Sequence, residues 1–60
     1  MPMIRVELLE GRSVEQKREF ATLVTQEAAR ILRCPTSAVQ VVFADVPRHD
    51  WATDGKLASD

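Results

Sequence analysis

The sequence has little of what stabilises most very small proteins. Its 60 residues include one cysteine, Cys34, and one histidine, His49, so an internal disulfide is excluded and no zinc-ligand spacing is present. It has no long apolar run and no basic segment followed by an apolar core, so we expect neither a membrane-spanning helix nor a signal peptide. A chain of this size buries only about 60% of the surface that its unfolded form exposes. We therefore expect association with other subunits to supply the missing stability.

Neither sign of charge dominates the chain. Eight Lys and Arg stand against nine Asp and Glu, a formal net charge of −1, which disfavours a nucleic-acid-binding surface or an anionic-membrane surface. With 45% hydrophobic residues the chain is too apolar for a disordered segment. The absence of cysteine pairs is typical of a reducing compartment. We expect a cytoplasmic protein in which residues 1–60 form a single domain.

Two segments have the pattern of β-strands. Residues 3–9 alternate between two faces, one of them apolar, which predicts a half-buried strand. Residues 39–44 are rich in β-branched side chains and nearly all apolar, which predicts a strand buried on both faces. Strands joined through a helix with short links form a β-α-β unit with parallel strands and a right-handed crossover. Since two strands alone are not a stable sheet, we expect an α/β fold completed by oligomerisation.

One amphipathic helix is predicted between these strands. Ser13 and Gln16 have the spacing of a capping box, so the helix should begin near Val14. Apolar residues then recur at steps of three and four. Because Pro35 disfavours helical geometry at the residue before it, the helix should end near Arg33.

The segment after residue 46 is more polar. Asp54 and Gly55 form a strong turn signal, which predicts a small C-terminal hairpin or hook. Trp51 is the only tryptophan, and such a tail offers it little to pack against. We expect Trp51 to pack on a neighbouring subunit.

Pro2 and Arg12 are the leading candidates for chemistry. Pro2 either starts an edge strand, where its missing N–H costs little, or becomes a chain terminus with a secondary amine once Met1 is removed. Arg12 follows Gly11 at a strand end. There its guanidinium could grip a carboxylate, or it could be a solvated turn arginine.

The remaining candidates are weaker when taken one at a time. Trp51 is more often a packing residue than a pocket wall. Arg48 and His49 lie in a polar loop and would usually be solvated, and Gln40 is a neutral donor on the second strand. Cys34 at a helix end is typical of a small buried apolar residue. The sequence offers no evident catalytic triad, because its one His and one Cys have no suitable spacing.

In combination, however, these residues form a known pattern. Pro2, the stretch LEGRSVEQK at residues 9–17, the VQVV strand at residues 39–42 and the aromatic Trp51 resemble the 4-oxalocrotonate tautomerase family over essentially the whole chain. The resemblance implies β-α-β subunits assembled as a homohexamer, a trimer of dimers, with active sites near subunit interfaces. It also implies an amino-terminal proline, exposed by loss of Met1, that acts as an acid–base catalyst without metal or organic cofactor.

The implied reaction is the enol–keto tautomerisation of 2-hydroxy-dienoates or related enol acids, a step of aromatic compound catabolism. By this resemblance Arg12 binds a substrate carboxylate and Trp51 lines the pocket. The sequence departs from its best-known relatives at Gln40, where they have an arginine that polarises the substrate carbonyl. A neutral donor forms a weaker hydrogen bond, so we expect weaker activity on the usual dicarboxylate or a different substrate. Arg48 is a candidate for the missing cation.

Two alternatives stay open. Members of the same superfamily hydrate or dehalogenate unsaturated acids, which requires a group that activates water. Glu7 and Glu10 are the only early carboxylates for that role. The second alternative is a non-catalytic oligomeric scaffold or small-acid binding module with the same fold.

Overall fold

The chain folds as a β-α-β unit followed by a hairpin, as the sequence predicts. The computed structural model describes residues 1–60. Strand β1 spans Met3–Leu9, helix α1 spans Val14–Leu32, strand β2 spans Gln40–Val46, and the hairpin consists of β3 (Ala52–Thr53) and β4 (Lys56–Leu57). Short 3-10 turns at Thr36–Ala38 and Arg48–Asp50 precede β2 and β3. The first two strands are parallel, with a register from Met3 opposite Gln40 to Leu9 opposite Val46.

Strand β2 begins one residue later and ends two residues later than predicted. Asp45 interrupts the apolar run, yet the backbone ladder continues past it and Glu10 N–H donates to the Val46 carbonyl at 3.0 Å. The Asp45 side chain forms an ion pair with Lys17 at 2.7 Å. The hydrogen bonds of β2 therefore extend past its apolar run, because Asp45 has an ion-pair partner, Lys17, on the helix.

Helix α1 begins at the predicted capping box. Ser13 Oγ accepts a hydrogen bond from Gln16 N–H at 3.1 Å, and Gln16 Oε1 accepts one from Ser13 N–H at 3.0 Å. At the other end Arg33 adopts a left-handed conformation, with φ of 57°, and its N–H donates to the Ala29 carbonyl. Each end of the helix thus has hydrogen bonds that satisfy part of its free backbone groups.

Substitution of Ser13 by alanine is expected to lower the free energy of unfolding by about 1 kcal/mol, because it removes the side-chain acceptor of the capping box. Urea unfolding followed by circular dichroism at a fixed protein concentration measures this, since association adds to the apparent stability. Ser37→Ala in the exposed turn before β2 is the matched control. Equal stability of the two variants would contradict the role of the cap.

The two faces of the sheet differ in cover. Helix α1 packs over one face, where the Phe20 and Phe43 rings meet edge to face with centroids 6.2 Å apart. The other face has no covering element. Val42 is 41% exposed there, because one helix covers only one face of β2. The predicted burial of its second face therefore depends on cover from other subunits.

No residue of the chain is buried. The accessible surface is 4730 Å², whereas a compact monomer of this mass exposes about 3,900 Å². The radius of gyration is 14.3 Å, against about 10.4 Å for a compact domain of this length. The excess area of about 800 Å² equals one partner's share of a standard protein interface.

The exposed apolar surface lies largely on α1. Leu23, Ile31 and Leu32 are each more than half exposed. The chain thus presents apolar surface that association with other copies would cover. None of its helices is long and apolar enough to cross a lipid bilayer.

Candidate active site at the two ends of the sheet

Pro2 lies at the amino end of the sheet, directly beside Gln40. Its carbonyl accepts a hydrogen bond from Gln40 N–H at 3.0 Å, and the next residue, Met3, is the sheet partner of Gln40. Pro2 is half-buried, whereas Met1 is 82% exposed. The backbone of Pro2 is therefore tied to the sheet, whereas Met1 is largely exposed.

Arg12 lies at the opposite, carboxyl end of the sheet, in the loop that joins β1 to α1. It lines a cleft of about 340 Å³, together with four apolar and two polar side chains: Val6, Leu8, Phe20, Phe43, Gln16 and Lys17. Arg12 takes part in none of the ion pairs of the chain. A guanidinium without a carboxylate partner beside an apolar wall is suited to bind the carboxylate of a small organic acid.

The tail also lies at the carboxyl end, after β2. Trp51 is half-buried, and its carbonyl accepts a hydrogen bond from Ala58 N–H at 2.8 Å. Arg48 is exposed and unpaired, and His49 is exposed with its Nε2 3.7 Å from Asp50 Oδ1. The hairpin thus fixes the position of Trp51, whereas the two basic residues before it are solvated in the single chain.

Within one chain, these candidates form two separate groups. Strand β1 has seven residues, so its two ends are about 20 Å apart. Pro2 and Gln40 lie at one end, and Arg12, Arg48 and Trp51 at the other. A substrate of a few carbon atoms cannot contact both groups of one chain. A single site that uses them all must draw on two or more copies, and a two-fold axis that sets neighbouring subunits antiparallel would bring unlike ends together.

One ion pair next to Arg12 has no signal in the sequence. Lys17 and Asp45, 28 residues apart, tie the first turns of α1 to the end of β2. No local pattern signals such a contact, because it depends on how the helix crosses the sheet.

Cys34 and the acidic residues form no further cluster. Cys34 is half-buried, and its N–H donates to the Ala29 carbonyl at the end of α1. No group of three or more His, Cys, Asp or Glu side chains is close enough to hold a metal ion.

Comparison with known proteins identifies the family. A family model for tautomerase enzymes matches residues 2–60. A probable tautomerase of Streptococcus pneumoniae serotype 4 is 39% identical over 57 residues, which are 95% of each chain. A probable tautomerase of Lactococcus lactis subsp. lactis is 47% identical over 47 residues, covering 78% of this chain and 77% of that one.

Solved structures agree with the sequence matches. The crystal structure of a 4-oxalocrotonate tautomerase homologue superposes with a TM-score of 0.95 at 43% identity, covering 100% of this chain and 95% of that one. A heterohexameric 4-oxalocrotonate tautomerase from Chloroflexus aurantiacus superposes with a TM-score of 0.94 at 33% identity, covering 100% and 97% of the two chains. The chain therefore belongs to the tautomerase family and has the subunit fold of the 4-oxalocrotonate tautomerase homologues.

Proposed function

We propose that the protein is an isomerase that converts 2-hydroxy-dienoates or related enol acids to their keto forms, with Pro2 as the acid–base group. The observation that carries the proposal is the position of Pro2, half-buried and hydrogen-bonded through its carbonyl to Gln40 at the amino end of the sheet. Membership of the tautomerase family supports it, and the family match begins at Pro2.

Loss of Met1 turns the Pro2 nitrogen into a secondary amine. An amine in an apolar pocket near other cations is penalised in its charged form, and so acts as a base near neutral pH. The amine takes the proton of the substrate 2-hydroxyl, and the electrons of that O–H bond form the carbonyl. The displaced π electrons then take the proton back from the ammonium at carbon. Atoms and charge balance within this cycle, which needs no oxidant or reductant.

Arg12 and Trp51 have binding roles in this proposal. Arg12 holds a carboxylate of the substrate, and Trp51 walls the pocket and limits water, which strengthens the electrostatic contacts inside. Both residues reach the proline from another copy of the chain, because β1 separates them from the Pro2 of their own subunit. Arg48 could place a cation near Gln40 only if it too came from another copy of the chain.

A homohexamer, as a trimer of dimers, is the proposed assembly. The excess surface of the single chain supports association, and a heterohexameric relative shares the subunit fold at a TM-score of 0.94. The proposed partners are copies of this chain and a small enol or keto carboxylic acid.

The proposal is tested on protein prepared without an amino-terminal tag. Intact mass spectrometry is expected to show a mass short by one methionine. Ultraviolet spectroscopy is expected to show ketonisation of 2-hydroxymuconate or phenylenolpyruvate above the uncatalysed rate. Both experiments use the same preparation, so that processing and turnover can be compared directly.

The contrary results separate the alternatives. A processed protein that turns over neither enol acid would contradict the proposed activity and favour the scaffold or binding module. Turnover of a haloacrylate or an alkynoate instead would favour the hydratase or dehalogenase alternative. Glu10 lies at the carboxyl end of the sheet, away from the Pro2 of its own chain, so it would have to act from another copy, as Arg12 does.

A further inference from the structure

The proposed reaction leaves a negative charge to be stabilised near Pro2. Deprotonation of the enol develops charge on the substrate oxygen, and donors aimed at that oxygen are usually the largest catalytic contribution. Gln40, the residue that hydrogen-bonds Pro2, can offer only a neutral donor. A cation on the uncovered face of the sheet, the face that carries the Gln40 side chain, would supply the missing charge.

Arg5 lies on that face, next to Gln40. Met3 pairs with Gln40 and Arg5 pairs with Val42, so the side chains of Arg5 and Gln40 leave the sheet on the same side. With strands about 4.8 Å apart and a rise of about 3.3 Å per residue, their Cα atoms are about 8 Å apart. A guanidinium and a glutamine amide at this spacing can converge on one small ligand.

The Arg5 side chain has no partner of its own. It is exposed, it forms no ion pair, and it donates none of the side-chain hydrogen bonds of the chain. Glu7 is the other charged residue on this face of β1, one side-chain step further from Pro2, and it forms no ion pair with Arg5. The guanidinium thus has no competing partner within its own chain.

The other arginines near Pro2 in sequence or space are less suited. Arg33 ends α1 and so lies in the helix layer, on the opposite side of the sheet from the Gln40 side chain. Arg30 is held by Glu27 at 2.7 Å. Arg12 is already assigned to the substrate carboxylate, and Arg48, about 20 Å away at the other end of its own chain, would reach Gln40 only from another copy.

We propose that Arg5 is a catalytic residue, the cation that stabilises the oxyanion of the substrate during the tautomerisation described above, alongside the neutral donor Gln40. This role rests on the proposed function. It holds whichever copy of the chain faces the proline, because Arg5 lies beside Gln40 in every copy.

The test compares kcat and KM for 2-hydroxymuconate among variants of the assembled protein. Arg5→Gln keeps a hydrogen-bond donor and loses the charge, so kcat is expected to fall about tenfold with little change in KM. Adding Gln40→Arg to Arg5→Gln restores a cation on the same face and is expected to recover most of the loss. Arg33→Gln, the same chemical change in the helix layer, is the control and should keep the wild-type kcat.

Gln40→Arg alone is measured beside the double variant, because relatives have an arginine at this position and its effect need not depend on Arg5. A merely structural role of Arg5 predicts the same fold-gain in kcat from Gln40→Arg in the wild type and in Arg5→Gln, whereas the proposed role predicts a larger gain in Arg5→Gln. A wild-type kcat for Arg5→Gln, or no recovery in the double variant, would overturn the proposal. Should Arg5→Gln fail to assemble, Arg5→His decides the question. Its charge is lost as pH rises through about 6.5, so its kcat relative to wild type is expected to fall across that range. A constant ratio would overturn the role.

The Pro2→Ala variant distinguishes failure of the proposed function from failure of the role of Arg5. If wild-type turnover does not depend on Pro2, the proposed function fails and this role fails with it. If turnover depends on Pro2 and Arg5→Gln retains the wild-type kcat, only the role of Arg5 fails.

Discussion

Replacing Pro2 by alanine is expected to lower kcat for enol-acid tautomerisation by about 10²–10⁴-fold, the contribution of a positioned acid–base group. The ring fixes the direction of the Pro2 nitrogen and makes it a secondary amine. Alanine leaves a primary amine on a backbone free to rotate. Steady-state kinetics on 2-hydroxymuconate measure the change, with intact masses confirming that both proteins have lost Met1.

The structure offers a suitable control for this substitution. Alanine keeps the carbonyl that accepts the hydrogen bond from Gln40 N–H. This backbone hydrogen bond at the amino end of the sheet is therefore retained, and assembly should be unchanged. Pro35→Ala, at the turn after α1, removes a proline that has no proposed role and should keep the wild-type kcat. A Pro2→Ala protein that is as active as wild type, and free of contaminating tautomerase, would show that another group moves the proton.

The fold could be predicted from the sequence because local signals agreed with each other. Alternation over residues 3–9 and the capping box at Ser13 both depend on neighbouring residues, and both appear as predicted. The end of β2 could not be predicted, because Asp45 looks like a strand breaker until Lys17 is known to lie across from it. The apolar character of both faces of β2 predicted more cover than one helix supplies, and in the single chain one face is indeed uncovered.

The site was harder to predict than the fold. The family pattern names Pro2, Gln40 and Arg12 as one set, whereas the strand separates Arg12 from the other two by about 20 Å. Sequence order does not say which copy contributes which residue. Arg5 was missed for a different reason: a charged residue on the polar face of an alternating strand is usually solvated, and only the register shows that it neighbours Gln40.

Replacing Arg12 by alanine is expected to raise KM for a dicarboxylate about 10- to 100-fold, with a smaller change in kcat. A charge-assisted hydrogen bond to a carboxylate contributes about 1.5–3 kcal/mol, and a contact made equally in ground and transition states appears in KM. Lys17→Met is not a suitable control, because Lys17 lines the same cleft. Arg18→Ala, on the exposed side of α1 and paired with Glu15, is the matched control. Unchanged affinity in Arg12→Ala would remove Arg12 from the site.

Mixed oligomers test whether Pro2 and Arg12 meet across a subunit interface. When Pro2→Ala and Arg12→Ala chains co-assemble in equal amounts, a site is intact only if its proline comes from an Arg12→Ala chain and its arginine from a Pro2→Ala chain. With random assembly about one quarter of the sites meet both conditions. The mixture is therefore expected to regain about one quarter of the wild-type kcat/KM, well above either variant alone.

A second mixture provides the control for this recovery. Pro2→Ala chains co-assembled with chains that carry both substitutions contain no intact proline, so they should regain nothing. If the first mixture also regains nothing, although native mass spectrometry shows mixed oligomers, then the arginine and the proline of each site come from the same chain. That result would contradict the separation of about 20 Å that β1 imposes between Pro2 and Arg12 of one chain. The recovered fraction thus tests directly whether each site takes Pro2 and Arg12 from different chains. The test does not require knowledge of the physiological substrate.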